Sequence, residues 1–144
     1  MCGITGFISN DHLTKNSMES IIKNMTATLN HRGPDDTGFW FDLESQIAFG
    51  HKRLSILDLS HAGHQPMISS NKNFIIVFNG EIYNHLDLRK EVKNYASSKN
   101  IKIIWNGSSD TETLLTCIEV WGFENTISKL VGMFSINFFD KDQK

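Results

Sequence analysis

The chain has 144 residues, of which 40% are hydrophobic and 21% charged, and its net charge is −2. Those figures describe one globular domain large enough to bury a core, and they give no electrostatic ground for binding nucleic acid or an anionic membrane surface. No apolar run approaches a membrane span, and no basic segment followed by an apolar core marks a signal peptide, so a cytoplasmic location is expected.

Cys2 directly follows the initiator. With Met1 removed, one residue carries both a thiol and a free α-amine. That amine's ordinary pKa of about 7.7–8.0 lets it take the thiol's proton near neutral pH. A thiol with a base beside it is an activated nucleophile, and no histidine is required. Ile4, Phe7 and Ile8, separated by small residues, predict a strand that holds Cys2 at a sheet end. Asn10, Asp11 and His12 are turn-like. Met18, Ile21, Ile22, Met25 and Leu29 then mark one helical face, with Asn16 and Glu19 as a capping pair at its start and Gly33-Pro34 as its stop.

Residues 37–41 and 46–56 predict two strands joined by a turn at 42–45. The second carries Lys52 and Arg53 beside His51, which fits either a wet face or an arginine reaching into a site. Residues 57–67 read as a loop. Its His61 and His64 lack a nearby third ligand of firm spacing, so no metal is expected. Residues 73–78 form a continuous apolar run, which predicts a strand buried on both faces. Asn79-Gly80 follows, the pair that most often turns a β-hairpin. A helix begins almost at once, however, with Leu88, Val92 and Tyr95 on one face and Asn84 and Asp87 at its start, so a strand-end loop opened by Gly80 fits better.

Residues 101–105 predict a short strand. Ser109 and Glu112 form a capping box, opening a helix whose Leu114, Cys117, Ile118 and Trp121 share a face. Cys117 is then a core thiol and Cys2 the candidate reactive one. A shorter helix over 123–130 and a last strand over 133–139 complete the pattern. A final strand without a following partner would leave an open edge, which leads to the expectation of a partial domain whose sheet continues past Lys144.

Taken in order, the initial Cys-Gly-Ile, HRGPDD (31–36), HKRLSILD (51–58), NGEIYN (79–84) and GSSDTE (107–112) closely resemble the glutaminase domain of glutamine-dependent asparagine synthetases. These are class II, N-terminal-nucleophile amidotransferases. The resemblance runs from Cys2 to about Asp140. It implies an α+β fold, a four-layer α/β/β/α sandwich of two antiparallel sheets, filling residues 1–144. It also implies a longer parent chain, in which a C-terminal synthetase domain uses ATP and Mg to amidate an acceptor such as aspartate. The glutaminase domain itself needs no cofactor, and a homodimer stays an open expectation.

Residue by residue, the resemblance assigns Cys2 as the nucleophile that attacks the side-chain amide of glutamine, forming a thioester and releasing ammonia. Asn79, through its side-chain amide, and Gly80, through its backbone N–H, match the oxyanion donors. Arg53 matches the binder of the substrate's α-carboxylate, for which its planar fork is suited, and Asp110 the partner of the α-ammonium. Leu54, Ile56 and Leu57 match positions whose backbone lines the glutamine pocket, and Glu81 a further contact. Residues 32–36 match a loop near the site and carry no assigned chemistry. The wording Arg53-Leu54-Ser55-Ile56 and the ending GEIYN favour the asparagine-synthetase type over sugar-phosphate and purine-precursor amidotransferases. Two other readings compete: a non-catalytic docking domain with the same fold, and a Cys–His hydrolase pairing Cys2 with His31, His51 or His85.

Overall fold

The computed structural model describes residues 2–56 and 59–143. Strand β1 (Gly3–Ile8) is followed by helix α1 (Lys15–Ala27) and the hairpin β2 (Asp36–Asp42) and β3 (Ile47–Arg53). A loop containing a 3-10 turn (His61–Gly63) leads to the short β4 (Met67–Ile68), the long β5 (Phe74–Ile82) and helix α2 (His85–Ser98). Helices α3 (Asp110–Trp121) and α4 (Phe123–Ile127) precede β6 (Gly132–Asp140). Among the described residues no helix is long and apolar enough to cross a membrane.

The strands form two antiparallel sheets ordered β1-β3-β2 and β4-β5-β6, so β3 and β5 are the central strands. The continuous apolar run predicted to be buried on both faces is β5, where Ile75, Ile76, Val77 and Phe78 are all buried. Successive side chains of a strand point to opposite faces. The odd-numbered Ile75 and Val77 therefore meet Ile47 and Phe49 of β3 between the sheets, with Ile4, Trp40 and Phe139 packed around them. The even-numbered Ile76 and Phe78 pack against Leu88 and Val92 of α2 and Leu114, Leu115 and Ile118 of α3. On the outer face of the first sheet, Ala48 packs on Met18 and Ile22 of α1. The layers thus run α1, sheet, sheet, α2/α3, the expected α/β/β/α sandwich. Each large apolar side chain fully buried in these layers contributes about 1.5–3 kcal/mol.

Several local expectations are corrected. The Thr14 side chain, rather than Asn16, caps α1 by accepting from the Ser17 N–H, and α1 ends at Ala27 instead of running to Gly33. Gly33 has a packing role, since a Cβ there would lie 2.5 Å from the Lys52 carbonyl carbon. Residues 101–105 form no strand; Ile103 and Trp105 lie against the helical core as irregular chain. The Asn84 side chain does not cap α2 but bridges the Lys129 carbonyl and the Val131 N–H. Asn79-Gly80 is neither a hairpin turn nor a loop, because β5 continues through it to Ile82 in register with β6, pairing Gly80 with Phe134.

His51 sits 1% exposed between the sheets, its Nε2 3.3 Å from the Phe78 carbonyl. Burial pushes its pKa from 6.5 down to about 4, against the raising effect of that hydrogen bond. His51 is therefore neutral at pH 7, and Nε2 donates. A histidine depressed in the folded state gives stability that is complete above the unfolded pKa and lost as pH falls through the window from 6.5 to about 4. The loss amounts to roughly 3 kcal/mol at most. Thermal unfolding followed between pH 7 and pH 4 should show the melting temperature falling across that window. His51→Gln, which keeps a donor but cannot titrate, should flatten the fall.

Candidate active site

The alternation that fills the core also aims the site. Continuing along the inward face of β3, Ile47 and Phe49 are followed by His51 and Arg53; along β5, Ile75 and Val77 are followed by Asn79. Cys2 extends the inward face of β1 past Ile4. Apolar layers give way to polar ones at the same end of the sandwich, around a cavity of about 240 Å³.

Cys2, just before β1, and Arg53, at the end of β3, line this cavity together with Leu54 and Ile56 of the chain that follows β3. The Cys2 thiol lies against the Leu54 backbone, with Sγ 3.4 Å from its N and 3.6 Å from its O. From β5 come Asn79, Gly80 and Glu81, and from the start of α3 comes Asp110. Every site residue expected from the sequence and described here thus faces one space; Leu57 lies outside the described residues. Ser109, the cap of α3, Thr111 of α3, Gly63 and Gln65 of the loop between β3 and β4, Tyr83 and Met133 also line it. These are loop, cap and edge positions with no periodic signal, and only a three-dimensional arrangement reveals them.

Asn79 is half-buried and lines the cavity, with its Oδ1 buried and without a hydrogen-bond partner. Gly80 has φ +149°, and a Cβ at that position would lie 2.2 Å from the Met133 carbonyl oxygen and 2.5 Å from the Phe134 Cα. The close approach of β6 therefore requires glycine here.

Arg53 is 8% exposed, and its Nη1 donates to the Ser60 carbonyl at 2.8 Å. Its guanidinium rests on Gly63, where a Cβ would come within 2.0 Å of Nη2. Asp110 is 5% exposed; one carboxylate oxygen accepts from the Ile82 N–H at 3.1 Å and the other from the Thr111 N–H at 2.8 Å. Burial raises the Asp110 pKa from its ordinary value in spite of those two N–H bonds. With its folded pKa raised, the ionised carboxylate costs stability at neutral pH, and the cost fades as pH falls through the folded value. A cation bound beside it would remove that cost. The cavity thus presents a cation, an anion, a thiol and the Asn79–Gly80 corner to one space.

The alternative bases are placed elsewhere. Among the described residues lining the cavity there is no histidine. Cys117 is fully buried, and burial pushes its thiol up to about 12, which leaves Cys2 as the available thiol. Near the loop, Asp36 supplies the third donor that the His61–His64 pair lacks in sequence, with one ligand atom from each residue within 4.8 Å of the others. His64 Nδ1 and Asp36 Oδ2 are 2.6 Å apart. That is a hydrogen bond, well inside the separation of about 3.3 Å that tetrahedral zinc bonds of 2.0–2.1 Å would impose. Burial works against ionisation of Asp36, but the His64 contact, the Thr37 N–H and Arg53 together hold its pKa below the ordinary value.

A four-layer sandwich that brings Cys2, Arg53 and Asp110 to one cavity fits the class of glutamine amidotransferase domains. The model of the glutamine amidotransferase domain family matches residues 1–144, and the chain belongs to that family. Asparagine synthetase [glutamine-hydrolyzing] 1 of Bacillus subtilis is 37% identical over 145 residues, covering 99% of this chain and 21% of that protein. A putative asparagine synthetase [glutamine-hydrolyzing] 2 of Methanocaldococcus jannaschii is 35% identical, covering 98% and 28%. The chain therefore spans between about a fifth and three-tenths of the length of these relatives. Among solved structures, the glutamine phosphoribosylpyrophosphate amidotransferase of B. subtilis superposes with a TM-score of 0.53 at 24% identity, over 69% of this chain and 23% of that one, a likeness of fold.

Gly80→Ala should lower the melting temperature by several degrees, in line with the roughly 1–3 kcal/mol that overpacking costs. An unchanged melting curve would contradict the close approach of β6.

Proposed function

We propose that this chain hydrolyses glutamine to glutamate and ammonia through a thioester on Cys2. The observation that carries the reading is the convergence of Cys2, the Asn79–Gly80 corner, Arg53 and Asp110 on one cavity. Glutamine is a zwitterion with an amide at the far end of its side chain. Arg53 would pair with its α-carboxylate and Asp110 with its α-ammonium, which leaves the amide carbon facing Cys2.

The α-amine of Cys2, free once Met1 is removed, takes the thiol proton as sulfur attacks the amide carbon. The oxyanion that forms is held by the Asn79 side-chain N–H and the Gly80 backbone N–H. The carbon–nitrogen bond then breaks as the α-ammonium returns its proton to the leaving nitrogen, and ammonia departs. Water, deprotonated by the same amine, attacks the thioester and releases glutamate, restoring the thiol.

In a longer parent chain, the ammonia would pass to a C-terminal synthetase domain in cis that amidates a carboxylate such as that of aspartate. ATP and Mg belong to that domain, and no step described here runs through them.

Cys2→Ala should abolish glutamine-dependent ammonia release while leaving the melting temperature near that of the parent chain. Release that survives the substitution would contradict the Cys2 thioester, whereas no release from the unsubstituted chain would favour the non-catalytic docking reading. Asp110→Asn should raise KM for glutamine tenfold or more, a loss on the order of that expected for a buried charged hydrogen bond. Asparagine offers one acceptor oxygen where Asp110 uses two, so the lost N–H bond opposes the relief of the buried charge and the melting temperature at pH 7 should change by no more than a few degrees.

A further inference from the structure

Strand β4 covers β5 only at Ile75 and Ile76. Along β5, odd-numbered residues turn their backbone groups toward β6, as in the Tyr83 N–H to Val131 bond that follows the strand, and even-numbered ones turn toward β4, as in the Ser69 N–H to Phe74 carbonyl bond. Past the end of β4, the even-numbered Phe78, Gly80 and Ile82 therefore face an edge with no strand beside it. A buried backbone group left unpaired is costly, so such an edge must be closed by other means.

Side chains close it at two points. The Phe78 N–H donates to Gln65 Oε1 at 2.6 Å, and the Ile82 N–H donates to Asp110 Oδ2 at 3.1 Å. Alternation directs the Gly80 N–H to the gap between them. Gln65 is 5% exposed and uses its other end as well, Nε2 donating to Thr111 Oγ1 at 3.4 Å. Its amide thus ties the residue just before the Asn79–Gly80 corner to the residue just after Asp110. At the same residue, His51 donates to the Phe78 carbonyl.

We infer that Gln65 is a positioning residue that sets the spacing between the oxyanion corner of β5 and the ammonium-binding start of α3. The inference rests on the glutaminase reading above. Asn79 and Gly80 can stabilise an oxyanion only when their donors are aimed at its position, and an error of about 1 Å in such geometry costs on the order of a hundredfold in rate. Gln65 takes no part in bond making. It acts through Phe78 and Thr111.

The test compares the parent chain with Gln65→Met, which removes both hydrogen bonds at similar length, and Thr111→Val, which removes only the bond to α3. The readouts are kcat and KM for glutamine, alkylation of Cys2 by iodoacetamide, melting temperature, and hydrogen exchange at the Phe78 N–H. Gln65→Met should lower kcat roughly ten- to a hundredfold and speed Phe78 exchange, with Cys2 alkylated at the parental rate because the thiol itself is untouched. Thr111→Val should raise KM several-fold and change kcat by less than about twofold. Parental kcat in a folded Gln65→Met chain, or unchanged Phe78 exchange, would overturn the inference. If Gln65→Met does not fold, Thr111→Val decides, and a parental KM overturns it. If the parent chain releases no ammonia from glutamine, the glutaminase reading fails, and Phe78 exchange alone then decides whether Gln65 anchors the corner.

Discussion

The two-residue repeat of the β-strand is the constraint from which both core and site follow. In β3 and β5 the inward faces read Ile47, Phe49, His51, Arg53 and Ile75, Val77, Asn79. The first members of each series meet in the dry layer between the sheets. The last members reach the open end of that layer, where the same face meets the cavity. A slip of one residue in either strand would turn Arg53 or Asn79 to the opposite face and would also pull Phe49 or Val77 out of the core. The apolar packing that stabilises the sandwich thereby fixes which polar groups face one another at its end.

A second consequence is an interrupted ladder. A short β4 beside a long β5 leaves backbone donors uncovered at the cavity wall, and Gln65 and Asp110 each satisfy one of them. Asp110 therefore has both a structural partner and a charge directed at the cavity, and burial raises its pKa. A cation bound at the cavity would offset the cost of keeping that carboxylate ionised. Arg53 is held by Ser60 and rests on Gly63, so the loop between β3 and β4 fixes the cationic wall as α3 fixes the anionic one.

The parts of this arrangement legible in the sequence are those whose chemistry or periodicity is local. The apolar run of β5, the Ser109 cap of α3 and the burial of Cys117 follow from short patterns. The pocket residues follow from ordered motifs, each ordinary alone. What sequence reading misses depends on distant partners. Asn79-Gly80 reads as a turn or loop because the strand that straightens it, β6, lies more than fifty residues downstream. Residues 101–105 have strand-forming side chains but no neighbour to pair with, so Ile103 and Trp105 pack on helices instead. Gln65 gives no signal at all, since a loop glutamine has no pattern until Phe78 and Thr111 are brought to either end of its amide.

The central claim, that the Cys2 thiol attacks the amide carbon whose oxygen the Asn79–Gly80 corner holds, is tested most directly by acid-quenching the chain during glutamine turnover and mapping covalent adducts by mass spectrometry. The account predicts one glutamyl group, on the peptide that begins at Cys2, absent from samples without glutamine. Turnover with no adduct at Cys2, or an adduct on Cys117 or any other residue, would contradict it.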